Sequence, residues 1–390
     1  MVGTFNYYNR FDGDTFNIYT RVSRCTFYLL NFLKVKTIKV ILIQAFFTLG
    51  FLEISSFLLL KNGFIKDIYS GVTEPLHIIN QGMIWRTEEE KWGAWHKTNF
   101  TDKHQKSCFN VTYKTNNIGA RDDVDYSSKI LGNGIIVLGD SFIEGFGVSN
   151  AMTLPKRLES ITNIFSYNLG SAYDFGPLQY LMIYKKFNYL PHDTVVVGFL
   201  PSNDFDDNDL DRSKFFGKRY RPYYNVNESE NNYPIYYNDS AIKRSEVGRY
   251  SIGDIIKSQA YRSNLARLYK SAKFIILHGE RNKQESSYNS ASINQQNAAV
   301  DHLLKIYNEA KKNGVERFVV LGIPNIRDFK LFLENGGTRI IQPWEKKLIN
   351  FSSNYKDFKY VDGFEALSKL PSDKNYKDLF LECDGHWSEN

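Results

Sequence analysis

From about Ile130 onward the sequence alternates short, uninterrupted apolar runs with segments of helical spacing. That alternation restricts the fold more than any other feature of the chain. "GIIVLGD" offers no polar side chain to solvent before its last residue, as a strand covered on both faces requires. "TLPKRLESI" then reads as helix, "FSYNLG" as strand, "GPLQYLMIYKKF" as helix and "TVVVGFLP" as strand. Further on, Val300, Leu303, Leu304 and Tyr307 keep helical spacing, and Gly314 marks the stop. "ERFVVLGIP" follows as strand, "PWEKKLINF" as helix and "FKYVDG" as a last strand. Repeated β-α-β units of this kind imply an α/β fold, a mostly parallel sheet with helices on both faces. The polar, aromatic stretch from about 206 to 250 breaks the rhythm and reads as an insertion.

A second feature sets the location. "IKVILIQAFFTLGFLEISSFLLL", residues 38–60, is long enough as one helix to cross a hydrocarbon layer about 30 Å thick. Lys39 at its edge can snorkel. Glu53 is the awkward residue, because a carboxylate at mid-membrane costs about 2.5 kcal/mol or more. It lies nearer the far end, so it is expected to reach the interface or to take up a proton. Arg10, Arg21, Arg24, Lys34 and Lys36 precede the segment, and only Lys61 and Lys66 follow closely. This bias puts residues 1–37 in the cytoplasm as a short, weakly ordered tail. It puts everything after Leu60 on the periplasmic or extracellular side of a single-pass anchor. Residues 61–129 are then a linker and extension, and 130–390 the main domain.

Composition narrows the partners. Of 390 residues 42% are hydrophobic and 24% charged, which is ordinary globular usage. Net charge is only +6 and no dense basic block occurs, so nucleic acid is not an expected partner. Cys108 and Cys383 both fall on the outer side, where disulfides persist; a bridge between them and two free thiols are the alternatives the spacing leaves open.

The chemistry-bearing residues stand where the strands end, the edge at which ligands bind in open α/β sheets. The first strand ends in Gly139, Asp140 and Ser141, the second in Asn168, Leu169 and Gly170, and the third leads into Ser202, Asn203 and Asp204. A final loop carries Asp384, Gly385 and His386. "GDSF", with "NLG", "SND" and "DGHW" downstream in that order, resembles the SGNH (GDSL-type) hydrolase superfamily over about 130–390. The lead-in "YKTNNIGARDD" resembles the segment before the serine in membrane-anchored members.

The resemblance implies a three-layer α/β/α flavodoxin-like sandwich and a serine esterase, with no cofactor and no metal. It implies Ser141 as nucleophile, His386 as base and then acid, and Asp384 to hold the imidazole tautomer. In an extended segment Asp384 and His386 point the same way, so the carboxylate reaches the ring. The implied oxyanion donors are the Ser141 N–H, the Gly170 N–H and the Asn203 side-chain amide. Tyr173 stands where the second block's last glycine is expected, which leaves Gly170, or the later Gly176, for the role. The family continues past the histidine with a glycine and a closing helix, whereas this sequence ends at Asn390.

The expected substrate is an acylated glycan or lipid of the cell envelope, or a small ester; the sequence leaves protein partners open. Two alternatives stand beside the esterase: an O-acyltransferase for surface polysaccharide, and a non-catalytic glycan-binding protein on the same fold. The acidic run Asp204, Asp206, Asp207, Asp209 and Asp211 lacks the glycine and glutamate of a calcium loop and reads as solvated. Trp85, Trp92, Trp95 and His96 read as anchors packing the extension onto the domain, ahead of a sugar-stacking surface. His96, His104 and Cys108 lack a zinc pattern.

Overall fold

The computed structural model describes residues 13–65, 91–106, 108–127, 133–172, 174–211, 221–228, 232–237, 263–278, 286–370, 376–382 and 384–389. In chain order the strands are β1 (Thr101–Lys106), β2 (Phe109–Lys114), β3 (Gly134–Gly139), β4 (Ser166–Gly170), β5 (His192–Phe199), β6 (Pro222–Tyr224), β7 (Ile235–Tyr237), β8 (Arg317–Gly322) and β9 (Phe358–Asp362). The helices are α1 (Gly13–Lys61), α2 (Ser141–Glu144), α3 (Leu154–Thr162), α4 (Pro177–Phe187), α5 (Asn264–His278), α6 (Ile293–Lys312), α7 (Ile326–Glu334), α8 (Pro343–Asn354) and α9 (Gly363–Ser368).

The chain divides into two compact units, the first comprising Met1–Asp67 with Ser263–Ala272. In it α1 runs from Gly13, so helix also occupies most of the segment expected to be a loose tail. Its part from Lys36 to Lys61 has a mean hydropathy of 1.8 and is long and apolar enough to span a membrane. Phe46, Phe47 and Phe51 stand about 70% exposed along it, as lipid-facing side chains would. Glu53 does not stand alone. Its carboxylate accepts from the Ser263 hydroxyl (2.8 Å), the Asn264 side-chain amide (2.9 Å) and the Leu265 N–H (3.1 Å), and from the Asn264 backbone N–H. The acid therefore caps the N-terminus of α5, where unpaired N–H groups and the helix dipole favour a negative charge.

The second unit holds the sheet. β3, β4, β5, β8 and β9 pair in parallel, in the order β4-β3-β5-β8-β9. The strand period of 2 explains the apolar runs: Ile136 and Leu138 face one side, Ile135 and Val137 the other, and all four are at most 5% exposed. The first face packs with Tyr180 of α4, Leu303 of α6 and Trp344 of α8 in one large core. The second face packs with Phe142 and Ile143 of α2 and with Leu154 and Leu158 of α3. Connections from β3 and β5 lead to opposite sides of the sheet, so a switch point falls between them.

The boundary near residue 130 moves. Trp92, Trp95, Ala120 and Tyr126 belong to the large core, so 91–127 is built into this unit. Trp92 and Trp95 are buried at 3%, with Trp95 bonded to the Ile118 carbonyl; Trp85 lies outside the described residues. Cys108, in the β1–β2 turn, is disulfide-bonded; Cys383 lies outside the described residues. The insertion is partly described: β6 and β7 form a hairpin whose Tyr224 and Tyr233 pack with Leu178 and Ala298.

The acidic run is not a solvated loop. Asp204 and Asp207 are at most 1% exposed and Asp209 5%. Asp204 accepts from the Leu200 N–H and the Tyr180 hydroxyl, and Asp209 from the Gln295 amide. These carboxylates satisfy one donor of the turn after β5 and donors of α4 and α6 that pack against it.

Candidate active site

β3 delivers Ser141 to the sheet edge. Asp140 caps the four-residue α2, its Oδ1 accepting from the Phe142 N–H at 2.9 Å and its carbonyl from the Glu144 N–H at 2.9 Å. The serine is thereby fixed as the first residue of the turn. Gly145 closes that turn at φ +85°, in the left-handed region, where a side chain would also strike Thr153. This is why glycine follows so soon after the serine.

His386 arrives on a tight loop. The Phe380–Trp387 bridge closes it, and the Leu381 carbonyl accepts from both Asp384 and Gly385. The loop is a turn and not the extended segment expected: Gly385 sits at φ +88°. The turn brings the Asp384 Oδ1 onto His386 Nδ1. His386 Nε2 then lies 2.6 Å from Ser141 Oγ. The side chains of His386 and Asp384 keep 20% and 10% of their exposure, so the three groups meet at an edge that solvent reaches.

The expected oxyanion donors are arranged less openly. The Ser141 N–H makes no hydrogen bond among the described residues, as befits a first-turn donor. The Gly170 N–H instead donates to Asn168 Oδ1 at 3.1 Å, and the Gly176 N–H to Gln179 Oε1 at 3.1 Å. Asn203 reaches the same edge, but its amide donates to Asp207 Oδ2 at 2.7 Å and also stabilises the Asp140 carboxylate.

Burial dominates the electrostatics beneath the site. It pushes the Asp140 carboxyl up to about 6, against the Phe142 amide and the positive charge available to His386. Asp204 and Asp207 are raised by the same cause, with the Asp140 charge raising Asp204 further and the Asp174 charge raising Asp140. No group of three or more His, Cys, Asp or Glu among the described residues is placed to hold a metal ion.

Two supporting residues, Arg121 and Glu144, escaped the sequence reading, and His96 takes a role beside Glu144 that it did not foresee. Arg121 donates to the Glu144, Gly145 and Val148 carbonyls, bracing the turn after Ser141. Glu144 is fully buried and paired with His96, whose side chain is 2% exposed. The position of Glu144 three residues after Ser141 was the available signal, since such spacing keeps a side chain beside the same helix face. Beside His386 lies a cavity of about 270 Å³, walled by Phe142, Phe146, Met152, Leu154 and Trp387. No known protein-family model matches this chain, and no curated protein is detectably similar to it in sequence.

Proposed function

We propose that the chain is a serine-dependent acyl-transfer enzyme, an esterase of the SGNH type on a flavodoxin-like sandwich. The observation that carries this reading is the unbroken chain from Asp384 through His386 to Ser141 Oγ, ending at 2.6 Å. The strand order supports it, being the doubly wound order with a binding crevice at the switch point, where Ser141 and Asn203 both emerge.

The chemistry follows from the groups. Ser141 Oγ attacks the ester carbonyl carbon while His386 Nε2 takes the hydroxyl proton. Asp384 keeps Nδ1 protonated, so that Nε2 presents its lone pair. Negative charge gathers on the former carbonyl oxygen and is met by the Ser141 N–H, with the Asn203 amide turning from Asp207 to join it. The carbon–oxygen bond to the leaving alcohol breaks, and that alcohol takes the proton from His386. Water then releases the acyl group from Ser141 by the same steps in reverse. A sugar hydroxyl in place of water makes the enzyme an O-acyltransferase.

The cavity beside His386 suits an apolar portion of such an ester. The membrane-length helix and the basic bias before it favour an acylated envelope glycan or lipid on the outer side of a single-pass anchor. The occupied Gly170 and Asn203 amides favour a second reading, a glycan-binding protein that has kept the fold without turnover. A fluorophosphonate probe separates the two. The enzyme reading expects labelling of wild type and none of Ser141→Ala; folded wild-type protein that stays unlabelled favours the binder.

A further inference from the structure

We propose that His96 and Glu144 act as one positioning unit that locks the Ser141 turn to the loop after β4; this rests on the reading of Ser141 as nucleophile. Glu144 ends the helix that Ser141 begins, and its side chain is 0% exposed. One of its oxygens, Oε2, serves two partners: it accepts from the Ala172 N–H and lies 3.1 Å from His96 Nε2. The other imidazole nitrogen, Nδ1, lies 2.9 Å from the Gly119 carbonyl oxygen.

The donors and acceptors dictate a proton count. A carbonyl oxygen only accepts, so Nδ1 carries a hydrogen. A neutral imidazole has one N–H, so a second proton must sit between Nε2 and Oε2. The pair is either imidazolium with carboxylate or imidazole with carboxylic acid. In both forms His96 and Glu144 are joined by a hydrogen bond between buried side chains, where such a bond is strong and its loss costly.

The consequence is geometric. The contact ties the segment at 96, through Glu144, to Ala172, two residues beyond Gly170. Arg121 fixes the same turn from the other direction, and its guanidinium lies 3.6 Å over the Tyr113 ring. The nucleophile turn and the second-block loop are thus set relative to each other by a side-chain pair, not by the sheet alone.

The test is the second-order rate of fluorophosphonate labelling on the full chain in detergent, read beside circular dichroism and Tm. His96→Ala and Glu144→Gln should label on the order of 10–100-fold more slowly than wild type, the scale of a small misplacement of reacting groups. Glu144→Gln is near-isosteric but removes the negative charge that balances an imidazolium; with His96 then neutral and its hydrogen on Nδ1, one amide atom cannot both accept from Ala172 and donate to His96 Nε2. His96→Gln, whose amide can still donate to Glu144, should recover most of the rate, which a merely structural role would not produce. Folded variants that label at the wild-type rate, or His96→Gln as slow as His96→Ala, overturn the proposal. Should His96→Ala not fold, Glu144→Gln decides alone. Wild type that resists labelling defeats the nucleophile reading itself, and this proposal falls with it.

Discussion

The His386 ring stacks on Phe146, the centroids 4.6 Å apart and the planes 30° from parallel. Phe142 contacts the same imidazole at 4.7 Å. An imidazole on a loop has two rotatable bonds, and a proton relay works only when Nε2 faces the hydroxyl. The two rings restrict that rotation. Phe146→Ala should therefore slow probe labelling of Ser141 about tenfold, within the range expected for loss of orientation. Phe146→Leu, which keeps bulk against the ring, should lose less. Equal labelling by wild type and Phe146→Ala would show that the loop alone holds the histidine.

Asp140 gives a pH signature in stability. Its carboxyl is raised from the usual 3.8 to about 6, chiefly by burial. Between these values the unfolded chain has released the proton and the folded chain still holds it. The stabilising contribution is therefore full below about pH 4 and is lost as pH rises through about 6, a change of about 3 kcal/mol. Asp140→Asn should remove that slope while leaving an oxygen to accept from the Phe142 N–H. Urea midpoints of the pair at pH 4 and pH 7 measure it. Parallel pH curves for the two proteins would rule Asp140 out as the source.

His302 works in the opposite direction, on the far side of the sheet core. It stacks on Tyr224 at 4.6 Å with planes 10° apart, and its Nδ1 donates to the Ala298 carbonyl at 2.8 Å. Burial, aided by the charge of Lys305, holds the imidazole down to about 3 from 6.5. Its contribution is present above about pH 6.5 and is lost as pH falls toward 3, by about 3 kcal/mol already at pH 4.5. His302→Gln should be less acid-sensitive than wild type over that span. The readout is the urea midpoint against pH, and an unchanged acid limb would discard His302 as its cause.

The sheet was legible because its strands are covered on both faces, which demands short uninterrupted apolar runs that stand out between segments of helical spacing. Ser141, Asp384 and His386 were legible as types at strand ends and in the last loop, and the structure brings those three together. What could not be read is what depends on contacts distant in sequence. Glu144 looks like any acid in a loop until His96, 48 residues earlier, is placed against it. Asp204 and Asp207 read as solvated because acids usually are, yet the turn after β5 needed acceptors for its own donors. Gly170 was chosen for its place in a motif, and only geometry shows Asn168 accepting its N–H. The hairpins β1–β2 and β6–β7 lack the long apolar pattern that marks the sheet; their side chains alternate weakly, and packing fixes them.

Glu53 supplies the last prediction. A carboxylate in an apolar, membrane-length helix is tolerated here because four donors of Ser263, Asn264 and Leu265 converge on it. The same acid is the N-cap of α5, supplied by a different helix. Glu53→Ala leaves the first N–H groups of α5 without an acceptor, and loss of a cap costs about 1–2 kcal/mol. Amides at 264 and 265 should then exchange roughly 5–30-fold faster in detergent micelles, the factor that energy corresponds to. Glu53→Gln, which keeps one acceptor oxygen but no charge, should fall between. Hydrogen exchange by mass spectrometry on peptides covering 263–272 reads the effect directly. Unaltered protection in Glu53→Ala would mean that α5 is held by its other contacts and that the acid has some different purpose.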